Sequence, residues 1–98
     1  MALETTAFDP AEYLDDEAAV AGYLSDALET GDAAFIADAL GVVARAKGMK
    51  QIAEDAGVSR ESLYRALSNS GNPEFGTVLK VVGALGLRLT ATPVHAAE

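Results

Sequence analysis

The stretch Met49–Ser68, MKQIAEDAGVSRESLYRALS, constrains the chain most. It reads as two short helices joined by a tight turn, the helix-turn-helix unit. Ala53 sits where the two helices cross, and a larger side chain would push them apart. Gly57 comes four residues later, where the first helix must end in a left-handed residue that only glycine adopts cheaply. Val58 plugs the turn and Ser59 is a good N-cap for the second helix. Leu63 points back at Ile52 and Ala56.

The second helix carries the chemistry. At about 100° per residue, Leu63, Ala66 and Leu67 fall on one side, and Arg60, Glu61, Tyr64 and Arg65 fall on the other within roughly 140°. A guanidinium bonds guanine through two contacts, a carboxylate accepts from cytosine N4, and an aromatic ring packs on a thymine methyl. The alternative is an ordinary solvated helix face. The spacing of Ala53, Gly57, Val58 and Leu63 favours a face that reads DNA bases.

A net charge of −8 runs against nucleic-acid binding until its distribution is considered. Residues 1–38 hold ten acids and no lysine or arginine. Residues 39–98 hold seven bases against five acids, a net of +2. Arg45, Lys47, Lys50, Arg60 and Arg65 lie at or beside the helix pair. Exposed charges more than about 8–10 Å apart are largely screened at physiological salt, so the local balance governs phosphate attraction. Binding is expected to be weaker than for a wholly basic repressor. The acidic first third suits a basic protein partner equally.

A chain of 98 residues suits one small domain, marginal alone and helped by dimerisation. It has no cysteine, hence no disulfide frame and no cysteine-based zinc site. No apolar run reaches the ~20 residues that span a bilayer. MALETTAFDP lacks a basic leader, so a cytosolic protein is the expectation.

Punctuation divides the rest. Asp9, Pro10 and Glu12 form a capping box for at most a short helix over Phe8–Leu14, and residues 1–7 are expected to be disordered. Asp16 caps a helix from Glu17 to about Thr30, with Val20, Leu24, Ala27 and Leu28 inward, Tyr23 beside them and Gly31 as the stop. Asp32 restarts the chain. Ala33 to about Lys47 forms the next helix, with Phe35, Ile36, Ala39, Leu40 and Val43 inward, Gly41 tolerated at a cost of about 1 kcal/mol, and Gly48 at the end. After the helix pair, SNSGNPE (Ser68–Glu74) is a loop by composition. Phe75 to about Leu85 is the last helix, with Phe75, Val78, Leu79, Val82 and Leu85 inward and Gly86 at C′. Leu87–Thr92 then alternates, with Leu87, Leu89 and Ala91 on one side, as a strand does. A lone strand lacks a partner; pairing with its copy in a second subunit is the remedy, and a frayed tail is the alternative. The expected organisation is an acidic segment at 1–31, a helix-turn-helix domain at 32–92 and a tail at 93–98.

The run Met49–Leu89 carries a resemblance. From about Phe35 to Leu89 the chain resembles the lambda-repressor-like helix-turn-helix domains, an all-α fold. More closely it is similar to the HigA-like addiction-module antidotes, through GVSRESLYRALS, through GNPEFGTVLKVVGALGLRL, and through the upstream FDPAEYL and YLSDALETGD. The resemblance implies a bacterial type II antitoxin in an all-α bundle of about five helices with a short C-terminal strand paired across a homodimer. Such proteins bind an inverted-repeat operator in double-stranded DNA and neutralise a ribonuclease toxin of the RelE/HigB fold. The base-reading positions of that family hold Arg60, Glu61, Tyr64 and Arg65 here, and the Ser59 position contacts phosphate. Many relatives place glutamine first in the unit to hold a phosphate; this chain departs from that with Met49, and Lys50 or Gln51 is the substitute the resemblance leaves.

Two other functions fit the same residues: a phage-type regulator without a toxin, and an interaction module that has lost DNA binding. An enzyme does not fit. The single histidine, His95, lies beyond Pro93, Asp15 and Asp16 are better placed for capping than for acid–base chemistry, and no phosphate-binding glycine fingerprint is present. No metal or cofactor is expected.

Overall fold

The computed structural model describes residues 16–94, which form five helices. They are α1 (Glu17–Glu29), α2 (Ala33–Lys47), α3 (Met49–Ala56), α4 (Arg60–Ala66) and α5 (Phe75–Ala84). The short helix expected at Phe8–Leu14, the disorder expected at residues 1–7 and the position of His95 lie outside the described residues.

Each start has a local cause. Asp16 accepts the N–H of Ala19 at 2.7 Å and opens α1. Asp32 accepts from Ala34 and Phe35 at 3.0 and 3.2 Å and opens α2. Each carboxylate also sits where the N-terminal helix dipole favours negative charge. The stops are glycines: Gly31, Gly48, Gly57 and Gly86 all carry positive φ, and no other residue type does among the described residues.

Helix α3 is the hub, packing against α2, α4 and α5, while α1 closes over α2. The core joins Val20 and Leu24 of α1, Leu40 and Val43 of α2, Ile52 and Ala53 of α3, Leu63 of α4 with Leu67 just beyond it, and Val81 and Val82 of α5. No polar or charged side chain is buried with them among the described residues. Hydrophobic burial therefore supplies the cohesion.

Two helix faces differ from those expected. On α2, Phe35 is 51% exposed and the small Ala37 and Ala44 are buried instead. On α5, Phe75 is 68% exposed and Leu79 46%, whereas Val81 is fully buried with Val82 and Leu85. On α2 the cause is packing by small residues, which hydrophobicity alone does not reveal; on α5 the buried stripe is rotated onto Val81, Val82 and Leu85. Gly41, buried in α2, is the clearest case: a Cβ there would collide with the carbonyl oxygen of Leu67, so the glycine lets the end of α4 lie directly on α2.

The strand expected at Leu87–Thr92 is not formed within the subunit. Among the described residues there is no strand. Leu87 and Leu89 pack on the subunit's own core, while Arg88, Thr90 and Ala91 are exposed. The N–H of Leu87 reaches back to the carbonyl of Val82 at 3.1 Å, but no second extended segment runs alongside.

Candidate nucleic-acid interface

The turn between α3 and α4 is fixed by backbone geometry. Gly57 takes φ 74° and ψ 29°, and its N–H bonds back to Glu54 at 3.1 Å. Val58 N–H donates to the carbonyl of Ala53 at 3.0 Å. Together these two bonds close the end of α3, the arrangement of a left-handed glycine cap. Ala53 is buried, so its small methyl lies at the close approach the turn creates.

Helix α4 then begins on Ser59, whose hydroxyl accepts the N–H of Ser62 at 3.0 Å. Leu63 and Leu67 are fully buried and hold the helix to the core. Its opposite face is free: Arg60, Glu61, Ser62, Tyr64 and Arg65 are all exposed, with Tyr64 at 47%. The four side chains Arg60, Glu61, Tyr64 and Arg65 thus stand together on the outside of a helix only seven residues long.

The far end of α4 is folded over. The Ser68 hydroxyl donates to the carbonyl of Arg65 at 3.1 Å, and Gly71 N–H donates to the carbonyl of Ser68 at 2.9 Å. A Cβ on Gly71 would strike the carbonyls of Ala66 and Arg65, so this loop wraps the helix terminus as closely as backbone allows. SNSGNPE is a turn with a definite shape that satisfies the helix-end carbonyl of Arg65.

The anchor residues fare differently. Lys50 and Gln51 are exposed in the first turn of α3, and Met49 is buried in the core. No side chain caps α3, so its first-turn N–H groups lack a side-chain acceptor. Gln51 is otherwise engaged: its amide donates to the Asp55 carboxylate at 3.0 Å, one turn along. Sequence reasoning missed that bond, although an i, i+4 glutamine–aspartate pair is its signal. Arg45 and Lys47 are exposed at the end of α2.

Tyr23 of α1 is half-buried. Burial pushes its hydroxyl above the ordinary 10.0, the Asp38 charge adds to that, and Arg45 opposes it.

The sequence model for probable addiction module antidote proteins matches residues 4–93. The chain belongs to that family. A protein from Haemophilus influenzae, described only as uncharacterized, is 52% identical over 81 residues, covering 83% of this chain and 84% of its own. No solved structure matches significantly. An antidote implies a toxin as partner, and the match takes in α1 as well as α2–α5. No helix among the described residues is long and apolar enough to cross a membrane.

Proposed function

We propose that this antidote is a lambda-repressor-like, HigA-type antitoxin: a homodimeric cytoplasmic repressor of its own operon that also neutralises a RelE/HigB-like ribonuclease. The observation that supports it most is the outward face of α4. Two arginines, a glutamate and a tyrosine are exposed on a helix held from behind by Leu63 and Leu67. In this reading α3 and α4 are the helix-turn-helix, and α4 lies in the major groove. Arg60 and Arg65 bond guanine edges, Glu61 accepts from cytosine, and Tyr64 packs on a thymine methyl. Lys50, Ser59 and the first-turn N–H groups of α3 hold phosphates and set the register. Gln51 joins them only by releasing Asp55. The segment Leu87–Ala91 pairs with its copy, and two reading helices about 34 Å apart enter successive major grooves of an inverted repeat.

The acidic first third supports the toxin half of the proposal. Ten acids without one base over residues 1–38 match a basic groove that binds RNA. The domain division follows: residues 1–31 face the toxin, 32–92 read DNA, and 93–98 form the tail.

Titration of the full chain against the DNA upstream of its own gene tests the repressor role. A sequence-specific shift at low salt that weakens steeply as salt rises is expected; no shift at low salt contradicts it. The toxin role is tested separately. Cells expressing the basic protein encoded beside this gene should survive with the full chain and die with one lacking residues 1–15. Survival with the shortened chain rules out neutralisation through that segment.

A further inference from the structure

An aromatic ring stands exposed on the first turn of α2. Phe35 is 51% exposed, while the interior of that helix is filled by Ala37, Leu40, Val43 and Ala44. Asp38 and Val42 follow Phe35 at i+3 and i+7, so the three share one side of α2. The Asp32 carboxylate lies beside its backbone, accepting the Phe35 N–H at 3.2 Å. Helix α1 packs on α2 and brings Tyr23 and Asp26, three residues apart, to the same side. The Tyr23 hydroxyl, raised above its ordinary 10.0 first by burial and then by Asp38, with Arg45 opposing, stands close to both charges. Tyr23 and Phe35 therefore flank Asp38 from two helices. One turn before Asp26, Gly22 leaves the backbone of α1 bare: a Cβ there would meet nothing within 4 Å. That glycine weakens a helix without serving any close approach among the described residues.

We infer that this α1–α2 face, with Phe35 at its centre and Asp26, Asp32 and Asp38 around it, seats a basic protein, the toxin that an antidote implies. The inference rests on the toxin half of the reading above, and it carries the seat from the acidic segment onto the first helix of the DNA-reading domain. Charge selects the occupant. Asp26, Glu29 and Asp32 are exposed and Asp38 is half-buried, whereas the bases of α2, Arg45 and Lys47, come only in its last turn. Such a face repels the phosphates of DNA, and a second copy would set acid against acid. A basic surface meets neither penalty. The division of labour is that of an interface anchor and its rim: a central aromatic side chain carries much of the binding energy, and the charges around it set the rate of encounter.

The test is titration of the full chain with the purified basic protein encoded beside this gene, read by calorimetry and by stopped-flow association. Phe35→Ala should weaken binding by about thirty-fold, the size expected of a central anchor. Asp26→Lys should slow association by about tenfold at low salt, an effect that fades as salt rises. The same reversal outside the face, Glu54→Lys on α3, should leave the rate unchanged. Phe35→Ala and Asp26→Lys should both keep the helical circular dichroism, the thermal midpoint and the operator affinity of wild type. Wild-type binding that neither variant alters overturns this inference and leaves the toxin reading to residues 1–15. So does a Glu54→Lys chain slowed as much as Asp26→Lys, or a face variant that loses operator affinity while its toxin binding stays intact. No binding by the wild-type chain contradicts the toxin reading and this inference together. Should Phe35→Ala melt early, Asp26→Lys decides, because lysine suits the last turn of α1 better than aspartate does, and an unchanged association rate there counts against the face.

Discussion

The Ser59 hydroxyl, 3.0 Å from the N–H of Ser62, sets where α4 starts and therefore which side chains its outer face presents. Ser59→Ala should lower stability by about 1 kcal/mol in a denaturant titration. Ser59→Asp should keep the cap and the stability, yet weaken operator binding, because it sets a negative charge against phosphate. Tyr23 gives a pH dependence of definite sign. Its hydroxyl is held above the ordinary 10.0, chiefly by burial. The folded chain therefore keeps that proton longer than the unfolded chain does. The stabilisation is complete below the unfolded value and is lost as pH rises through the folded one. The thermal midpoint should fall above about pH 10, and Tyr23→Phe should flatten that fall. At this scale the capping residues were legible, since an aspartate or serine before a helical run has one dominant use. The Gln51–Asp55 bond was not. A glutamine near a helix start serves a phosphate or an intrahelical carboxylate equally well, and tertiary placement decides.

Among the elements, helix ends were read more accurately than helix faces. Asp16, Asp32 and Ser59 cap, and Gly31, Gly48 and Gly57 stop, within a residue of where the spacing placed them. Faces depended on where small residues let a neighbour come close. Hydrophobicity alone places Phe35, Phe75 and Leu79 inward, but Ala37, Ala44 and Val81 occupy the interior. Gly41 belongs to the same effect. Gly41→Ala should cost about 1–3 kcal/mol, as overpacking does, and displace the end of α4 from α2. Its signature would be operator affinity falling although no side chain of the outer α4 face has changed. Gly57→Ala should be comparably damaging at the turn, because φ 74° is strained for any residue with a Cβ. The segment after Gly86 kept the alternation its sequence shows only as far as Leu89, with Leu87 and Leu89 inward and Ala91 exposed, and a ladder needs a second edge that one subunit lacks.

Across the whole molecule, charge is separated along the chain. Asp16, Glu17, Asp26, Glu29 and Asp32 lie on or beside α1 with no base among them, while Arg45, Lys47, Lys50, Arg60 and Arg65 run from the end of α2 through α4. Glu54, Asp55 and Glu61 lie among those bases and leave that stretch only mildly basic, so the layout fits the proposed pairing of an acidic face with a toxin and a mildly basic one with DNA despite an acidic total. Membership of the antidote family supports the toxin side, and the exposed face of α4 supports the DNA side. The decisive measurement is a hydroxyl-radical footprint of the full chain on the DNA upstream of its gene, alongside Arg60→Ala and Arg65→Ala. Wild type should protect two patches on one side of the duplex about one helical turn apart. Each arginine variant should melt as wild type does, yet lose about 1–3 kcal/mol of binding and relax sequence preference at one base position per half-site. No protection, or protection indifferent to both substitutions, would contradict α4 as the reading helix.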